Sequence, residues 1–339
     1  MYLRPRSVPV GDRSHYGPVV YLRWSRSCLR PPPRMGFPPS LRIAYIKNYS
    51  ENRVEYSKIS PKVTPASSLV TLDLYGFKNM QRLSDGMEML TKLEDLRLWN
   101  CHQLKELPSK LGDLGNLKQM RLNGCTELKE LPSNFDQLSN LTSLIIYYCP
   151  ILSAFPSNFG QLKKLEELQL YNYSGLQALP LDFGYLKNLE ELQLYNYFEL
   201  KALPSDFGHL KNLEELQLYN YSRLKVLPSD FGHLKNLEEL QLYNCFGLKE
   251  LPSDFGCLKN LRVLKLSGCS GLAELPSNFG QLKNLKKLDL EDCSRLEKWP
   301  LGFGDLTELK EIFLTGCSST LKDLLPNNFK GNDSTVIGL

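Results

Sequence analysis

The sequence predicts an α/β solenoid, a right-handed curved stack of short coils with a parallel sheet on its concave side and an irregular convex side of turns and 3₁₀ pieces. Three observations predict it. Eleven leucines stand 24 residues apart: Leu69, Leu93, Leu117, Leu141, Leu165, Leu189, Leu213, Leu237, Leu261, Leu285 and Leu309. Such a period, held over most of a 339-residue chain, marks stacked repeats. Each repeat opens with a short apolar/polar alternation, the signature of a strand. Proline then fills repeat position 16 in nine successive units, from Pro108 to Pro300, which forbids a long helix in the return half.

The unit from Leu237 to Asn260 reads LEELQLYNCFGLKELPSDFGCLKN. Leu240 and Leu242 are expected to point into the coil, leaving Glu239, Gln241 and Tyr243 outside. The Phe-Gly pair of the return supplies an inward anchor and then a residue tolerant of positive φ. Asp136 replaces that glycine once, and Asp tolerates the left-handed region better than most residues. A single coil cannot bury enough apolar surface to fold alone, so neighbouring coils must share their faces.

Residues 41–68 read as a degenerate N-terminal capping repeat in which Leu41, Ala44, Ile46 and Tyr49 fit the spacing. The eleven regular units occupy 69–332, with a two-residue insertion near Ser318–Ser319, and 333–339 form a tail. Residues 1–40, with seven arginines and Pro31-Pro32-Pro33, read as a basic disordered leader. Residues 1–50 hold nine lysines and arginines against Asp12 alone; the remainder holds 32 bases and 36 acids. The overall charge of +4 is therefore set by the leader, and no nucleic-acid partner is expected.

No apolar run follows the first arginines, so no secretory signal and no membrane span are expected. The cytoplasm is the expected compartment, with an organellar address through the Arg-rich N-terminus as the minor alternative. The sequons at Asn48, Asn140, Asn172, Asn220 and Asn332 then read as chance matches.

Seven of the nine cysteines hold repeat position 9: Cys101, Cys125, Cys149, Cys245, Cys269, Cys293 and Cys317. Phe77, Tyr173, Tyr197 and Tyr221 take the same place elsewhere, which a disulfide or metal framework would not permit. The small thiol is expected to cap backbone carbonyls where the chain leaves the strand. His209, His233 and Cys257 share position 21 on successive coils, but a flat row of three suits tetrahedral zinc poorly, and no metal or other cofactor is expected. No phosphate loop, nucleophile elbow or His-Glu-x-x-His segment occurs, so the chain reads as a non-enzyme without a small-molecule substrate.

Aromatic residues hold seven of the eleven outward places at position 7, among them Tyr75, Trp99 and Tyr147. Trp99, Tyr147, Tyr171, Tyr195, Tyr219 and Tyr243, with Gln169, Gln193, Gln217 and Gln241 beside them, are the candidate contact residues for a protein partner. Rigid amphipathic rings give contact area at low entropic cost. The four units from Leu165 to Asn260 are nearly identical, so duplication alone also accounts for a repeated tyrosine, and stacked tyrosines and glutamines stabilise a parallel sheet. The paired glutamates from Glu166-Glu167 to Glu238-Glu239 read as solvated scaffolding, with Lys187, Lys211 and Lys235 expected to neutralise them. Bases flank this row, Lys118 and Arg121 before it and Arg262, Lys265, Lys286 and Lys287 after.

The unit L-x-x-L-x-L-x-x-C-x-x-L-x-x-L-P-x-x-F-G-x-L-x-N resembles a leucine-rich repeat over about residues 69–330. Cysteine in place of asparagine, as in Leu266–Cys269, and the return Leu275-Pro-Ser-Asn-Phe-Gly280 are similar to the repeat region of plant (TIR-type) nucleotide-binding disease-resistance proteins. The resemblance implies a scaffold that recognises a protein or effector in plant-type defence signalling. It does not bring ATP binding with it, since no phosphate loop precedes the repeats. Two other readings are a secreted inhibitor of a microbial enzyme and a functionless fragment of a duplicated resistance locus.

Overall fold

The computed structural model describes residues 19–24, 42–48, 68–83, 86–172, 176, 178–196, 200–329 and 336–337. They belong to two compact units, Met1–Leu165 and Glu166–Leu339. The rest of the expected leader, most of the expected capping repeat, Tyr173 and Tyr197 lie outside the described residues.

Unit 1 carries β1 (Val19–Trp24), β2 (Ile43–Asn48), β3 (Thr71–Tyr75), β4 (Asp95–Trp99), β5 (Gln119–Asn123) and β6 (Ser143–Tyr147). Each pairs parallel with the next, so that Leu72 faces Leu96, Leu96 faces Met120 and Met120 faces Leu144. Six residues of the expected leader form β1. VVYLRW is rich in strand-favouring side chains, and its ladder with β2 runs from Val19–Ile43 to Trp24–Asn48.

Unit 2 carries β7 (Glu167–Tyr171), β8 (Glu191–Tyr195), β9 (Glu215–Tyr219), β10 (Glu239–Tyr243), β11 (Val263–Lys265), β12 (Lys287–Asp289), β13 (Glu311–Phe313) and β14 (Val336–Ile337), again parallel in sequence order. The single α-helix among the described residues, α1 (Ser319–Asp323), falls where the two-residue insertion breaks the period. Ser318 caps it by accepting from the Leu321 amide, and Trp299 Nε1 donates to the Leu321 carbonyl at 2.9 Å. None of the described helices is long and apolar enough to cross a membrane.

The return half of each regular coil carries a single 3₁₀ turn, beginning at Met87 and Leu111 in the first two, at Asn327 in the last and at a phenylalanine in the eight between. The proline carbonyl accepts from that residue's amide, as in Phe231 to Pro228 at 3.1 Å, so the residue that lacks a donor still closes the turn. The phenylalanines are fully buried and stack on one another along unit 2, with ring centroids 6.1–6.2 Å apart from Phe183 to Phe303. On the sheet side the rings of Tyr171, Tyr195, Tyr219 and Tyr243 are 4.2–4.6 Å apart. Coils wider at the phenylalanine row than at the tyrosine row are wedges, which puts the sheet of unit 2 on its inner side.

Two backbone requirements sit elsewhere than the sequence suggested. The Phe-Gly glycine is not needed for positive φ. A Cβ on Gly184, Gly208, Gly232 or Gly256 would lie 2.1–2.2 Å from the carbonyl oxygen of the residue before the next coil's Phe, so close approach of successive coils excludes a side chain. The amides of these four glycines donate to the side chains of Asp206, Asp230, Asp254 and Asn278, which fastens each return turn to the next. Positive φ belongs instead to position 8. Gly76, Asn100, Gly124, Tyr148, Asn172, Asn196, Asn220, Asn244, Gly268, Asp292 and Gly316 all take φ between 50° and 77°. This left-handed step carries the chain out of the strand and aims the amide at the next coil, as from Asn220 to the Tyr243 carbonyl at 2.9 Å.

Candidate functional site

The sheet's solvent face is where the candidate residues lie, and alternation explains why. Positions 4 and 6 turn inward and are buried, as Leu240 and Leu242 are, while 3, 5 and 7 turn outward. In unit 2 this brings eight candidates into one network. Tyr171, Tyr195, Tyr219 and Tyr243 form a continuous ring stack. Tyr171 and Tyr195 donate to the Oε1 of Gln193 and Gln217 on the following strand, and Tyr219 donates to that of Gln241 at 2.7 Å. Each glutamine then donates to the glutamate two residues earlier: Gln169 to Glu167 at 2.6 Å, Gln193 to Glu191 and Gln241 to Glu239 at 2.5 Å, and Gln217 to Glu215.

This network has a cost in availability. Gln217 and Gln241 point outward by register yet are only 9% and 6% exposed, because the tyrosine of the preceding coil closes over each one. Part of the face a partner would meet in unit 2 is therefore aromatic edge and carboxylate. In unit 1, Trp99 and Tyr147 occupy the same register position on β4 and β6 and are half-buried, with Asn123 of β5 between them.

Two of the three lysines expected to neutralise the glutamates do something else. Lys211 and Lys235 donate to the carbonyls of Gly208 and Gly232, 2.7 and 3.1 Å away, and Lys163 and Lys259 do the same in their coils. The glycine carbonyl in the 3₁₀ turn is three residues away and needs a donor, so it captures the ammonium. Among the described residues Glu190, Glu191, Glu214 and Glu215 consequently make no ion pair. Burial, with Glu167 and Glu215 alongside, raises the Glu191 carboxyl above the ordinary range. Burial likewise raises the phenols of Tyr219 and Tyr243, keeping them protonated and able to donate.

The flanking bases are mostly committed. Lys118 pairs with Glu94 and Arg262 with Glu238, both at 2.9 Å; Lys265 reaches Glu239 at 3.4 Å and Lys287 reaches Glu311 at 2.9 Å. The position-9 cysteines of the described residues are free and buried, except Cys317, which is partly exposed. Cys269, Cys293 and Cys317 donate to the carbonyls of Leu242, Leu266 and Leu290 on the preceding coil, 3.2, 3.2 and 2.9 Å away. Burial pushes the Cys317 thiol up to about 11 and raises Cys293 further, so these thiols are caps and not nucleophiles. His209, His233 and Cys257 close successive 3₁₀ turns with both imidazoles exposed, and no group of three or more ligating side chains among the described residues is arranged to hold a metal.

Position 8 adds a row that no sequence expectation included. Its column of Gly, Asn and Asp was a visible signal for left-handed backbone. Asn172, Asn196, Asn220 and Asn244 form an amide ladder in which the Nδ2 of each of the last three donates to the Oδ1 of the preceding coil, Asn220 to Asn196 at 2.5 Å and Asn244 to Asn220 at 2.9 Å. Two of the sequon asparagines, Asn172 and Asn220, are members of that ladder, and Asn140 Nδ2 donates to the Gly115 carbonyl at 2.6 Å.

A family model described as a leucine-rich repeat region matches residues 56–179, and one described as R13L1/DRL21 leucine-rich repeats matches 156–221, 181–245 and 234–293. No curated protein matches. Among solved structures, the leucine-rich repeat domain of the type III effector XopL is 30% identical, with 63% of this chain and 73% of that one covered and a TM-score of 0.57. Toll in the Drosophila Toll–Spätzle complex is 21% identical over 83% of this chain and 44% of that one, at a TM-score of 0.56. The PEPR1–AtPEP1 structure is 21% identical over 82% and 42%, at a TM-score of 0.50. The 24-residue period, the parallel sheet and these matches agree, and the chain belongs to the leucine-rich repeat family.

Proposed function

We propose that this chain is a non-enzymatic recognition scaffold that binds a protein partner on the solvent face of its sheet, in plant-type defence signalling in the cytoplasm. The observation that carries the reading is the pre-assembled aromatic row. Four stacked tyrosines, three of them held by hydroxyl–amide bonds at their tips, present ring edges whose rotamer freedom has already been reduced. A partner docking there would order few further side chains. The defence context is supported by cysteine at position 9 and by the Leu-Pro-Ser-x-Phe-Gly return, features similar to the repeats of plant resistance proteins. Toll, which shares the fold, is seen with Spätzle, and this supports a protein as the class of ligand.

The test is affinity capture from source tissue with mass spectrometry, comparing the native chain with two variants, Trp99→Ala and the combined Tyr171, Tyr195, Tyr219 and Tyr243→Ala, each shown by circular dichroism to be folded. A specific partner lost with either variant supports the reading. An identical partner list for all three chains removes it.

A further inference from the structure

We propose that Arg121, on the solvent face of β5, anchors an aspartate or glutamate side chain of a protein segment laid along that face. The inference deepens the recognition reading above and rests on it. It starts from two neighbouring coils that solve the same electrostatic problem differently. On β4, Asp95 and Arg97 lie two residues apart and form a two-pronged pair, with Arg97 Nε to Asp95 Oδ1 at 3.0 Å and Nη2 to Oδ2 at 2.5 Å. This fork matches a planar guanidinium to a carboxylate. On β5 the arginine recurs at the same register position, Arg121 opposite Arg97, but Gln119 stands opposite Asp95.

Gln119 is a poor substitute. Its Oε1 reaches only Arg121 Nη2, and at 3.5 Å, the outer limit of a hydrogen bond. Arg121 Nε is buried and makes no hydrogen bond. Neither neighbouring strand supplies an acid to it: Asp95 is engaged by Arg97, and opposite Arg121 on β6 stands Ile145. Asp73 of β3 acts on Arg97 as well. Of the other bases flanking the tyrosine row, Lys118, Arg262, Lys265 and Lys287 have acidic partners. Arg121 therefore combines a guanidinium charge with a like charge on the adjacent strand and a donor left over.

One carboxylate accepting from the Arg121 guanidinium supplies the countercharge that Asp95 gives Arg97 one coil earlier. Trp99 sits at position 7 beside this pair on β4 and gives an incoming segment an apolar surface next to the charge. The carboxylate is a side chain in this proposal because a segment crossing parallel strands presents side chains, not its terminus, to a mid-face position.

The experiment selects random peptides, displayed with their C-termini fused so that only side-chain carboxylates are available, against the folded native chain. Affinities of the resulting synthetic, C-terminally amidated peptides are then measured by fluorescence anisotropy on the native chain and on Arg121→Gln and Gln119→Asp. The second variant gives Arg121 an internal partner copied from the Asp95 pair. It is expected to hold or raise the melting temperature while blocking the site, which separates loss of binding from loss of fold.

The expected result is a peptide family with one obligatory Asp or Glu, weakened roughly 30-fold or more by either variant. Changing that acid to its amide weakens binding to the native chain equally and has no further effect on Arg121→Gln. A selection with no carboxylate-dependent binder, or binders indifferent to both variants, overturns the proposal. Binders indifferent to both variants but lost on Trp99→Ala leave sheet-face recognition standing without Arg121. Binders indifferent to all three remove the recognition reading as well.

Discussion

Replacing Asn220 by alanine and, separately, by glycine isolates the left-handed step that ends every strand. Asn220 has φ of 62°, donates its Nδ2 to Asn196 Oδ1 at 2.5 Å and accepts from Asn244 Nδ2 at 2.9 Å. Alanine at that φ costs about 1–2 kcal/mol in steric strain. Both variants lose the two ladder bonds, which lie near water and contribute about 0.5 kcal/mol each, the low end of the usual range. Asn220→Ala should therefore cost about 2–3 kcal/mol. Glycine adopts the angle freely but adds up to about 1 kcal/mol of unfolded-state entropy, so Asn220→Gly should cost about 1–2 kcal/mol. Urea unfolding followed by far-ultraviolet circular dichroism reads the difference as a shift in midpoint at constant slope. If the glycine variant proves as unstable as the alanine variant, or more so, backbone strain at position 8 is not what the residue relieves.

Three further outcomes follow from the same geometry. Gly232→Ala places a Cβ 2.2 Å from the Asp254 carbonyl oxygen, and thermal unfolding should show a loss of about 3 kcal/mol or more, without relief from reversing a backbone angle. Tyr219→Phe removes the 2.7 Å bond to Gln241 but leaves the ring stack, so chemical denaturation should register about 1 kcal/mol and near-ultraviolet circular dichroism little change. The Glu191 carboxyl is raised in the folded chain, so the folded state holds more protons than the unfolded one just above the ordinary glutamate range, and stability falls as pH rises through that window. Glu191→Gln should accordingly raise the melting temperature at pH 7 and lose that advantage towards pH 4, as a pH series of melting curves would show.

Much of the architecture is legible because leucine spacing and strand alternation are one-dimensional patterns. Leu240 and Leu242 turn inward as their register requires, and Pro228 with Phe231 marks a 3₁₀ turn. What escaped depends on contacts between coils, 22 to 24 residues apart in sequence. Gly208 tolerates no side chain because of the Asp230 carbonyl, a fact absent from its own coil. Lys211 donates to the Gly208 carbonyl of its own turn and to the His233 carbonyl of the next coil, and not to the glutamates that follow it. Gln241 faces outward by alternation and is covered by Tyr219. The same limit applies to Arg121: its sequence neighbours show a base in a mixed row, and only comparison with the Asp95–Arg97 pair one coil away shows it lacking a carboxylate.

The central claim is that recognition uses the solvent face of the sheet. Hydroxyl-radical footprinting of the chain, free and bound to a partner obtained by capture, tests it directly. Trp99, Tyr147, Tyr171, Tyr195, Tyr219 and Tyr243 report on that face, while the exposed Leu181, Tyr185 and Phe246 lie outside it and serve as internal references. Protection of several of the first group with the references unchanged is the predicted result. Protection confined to Leu181, Tyr185 or Phe246, with the tryptophan and tyrosines as reactive as in the free chain, would contradict it.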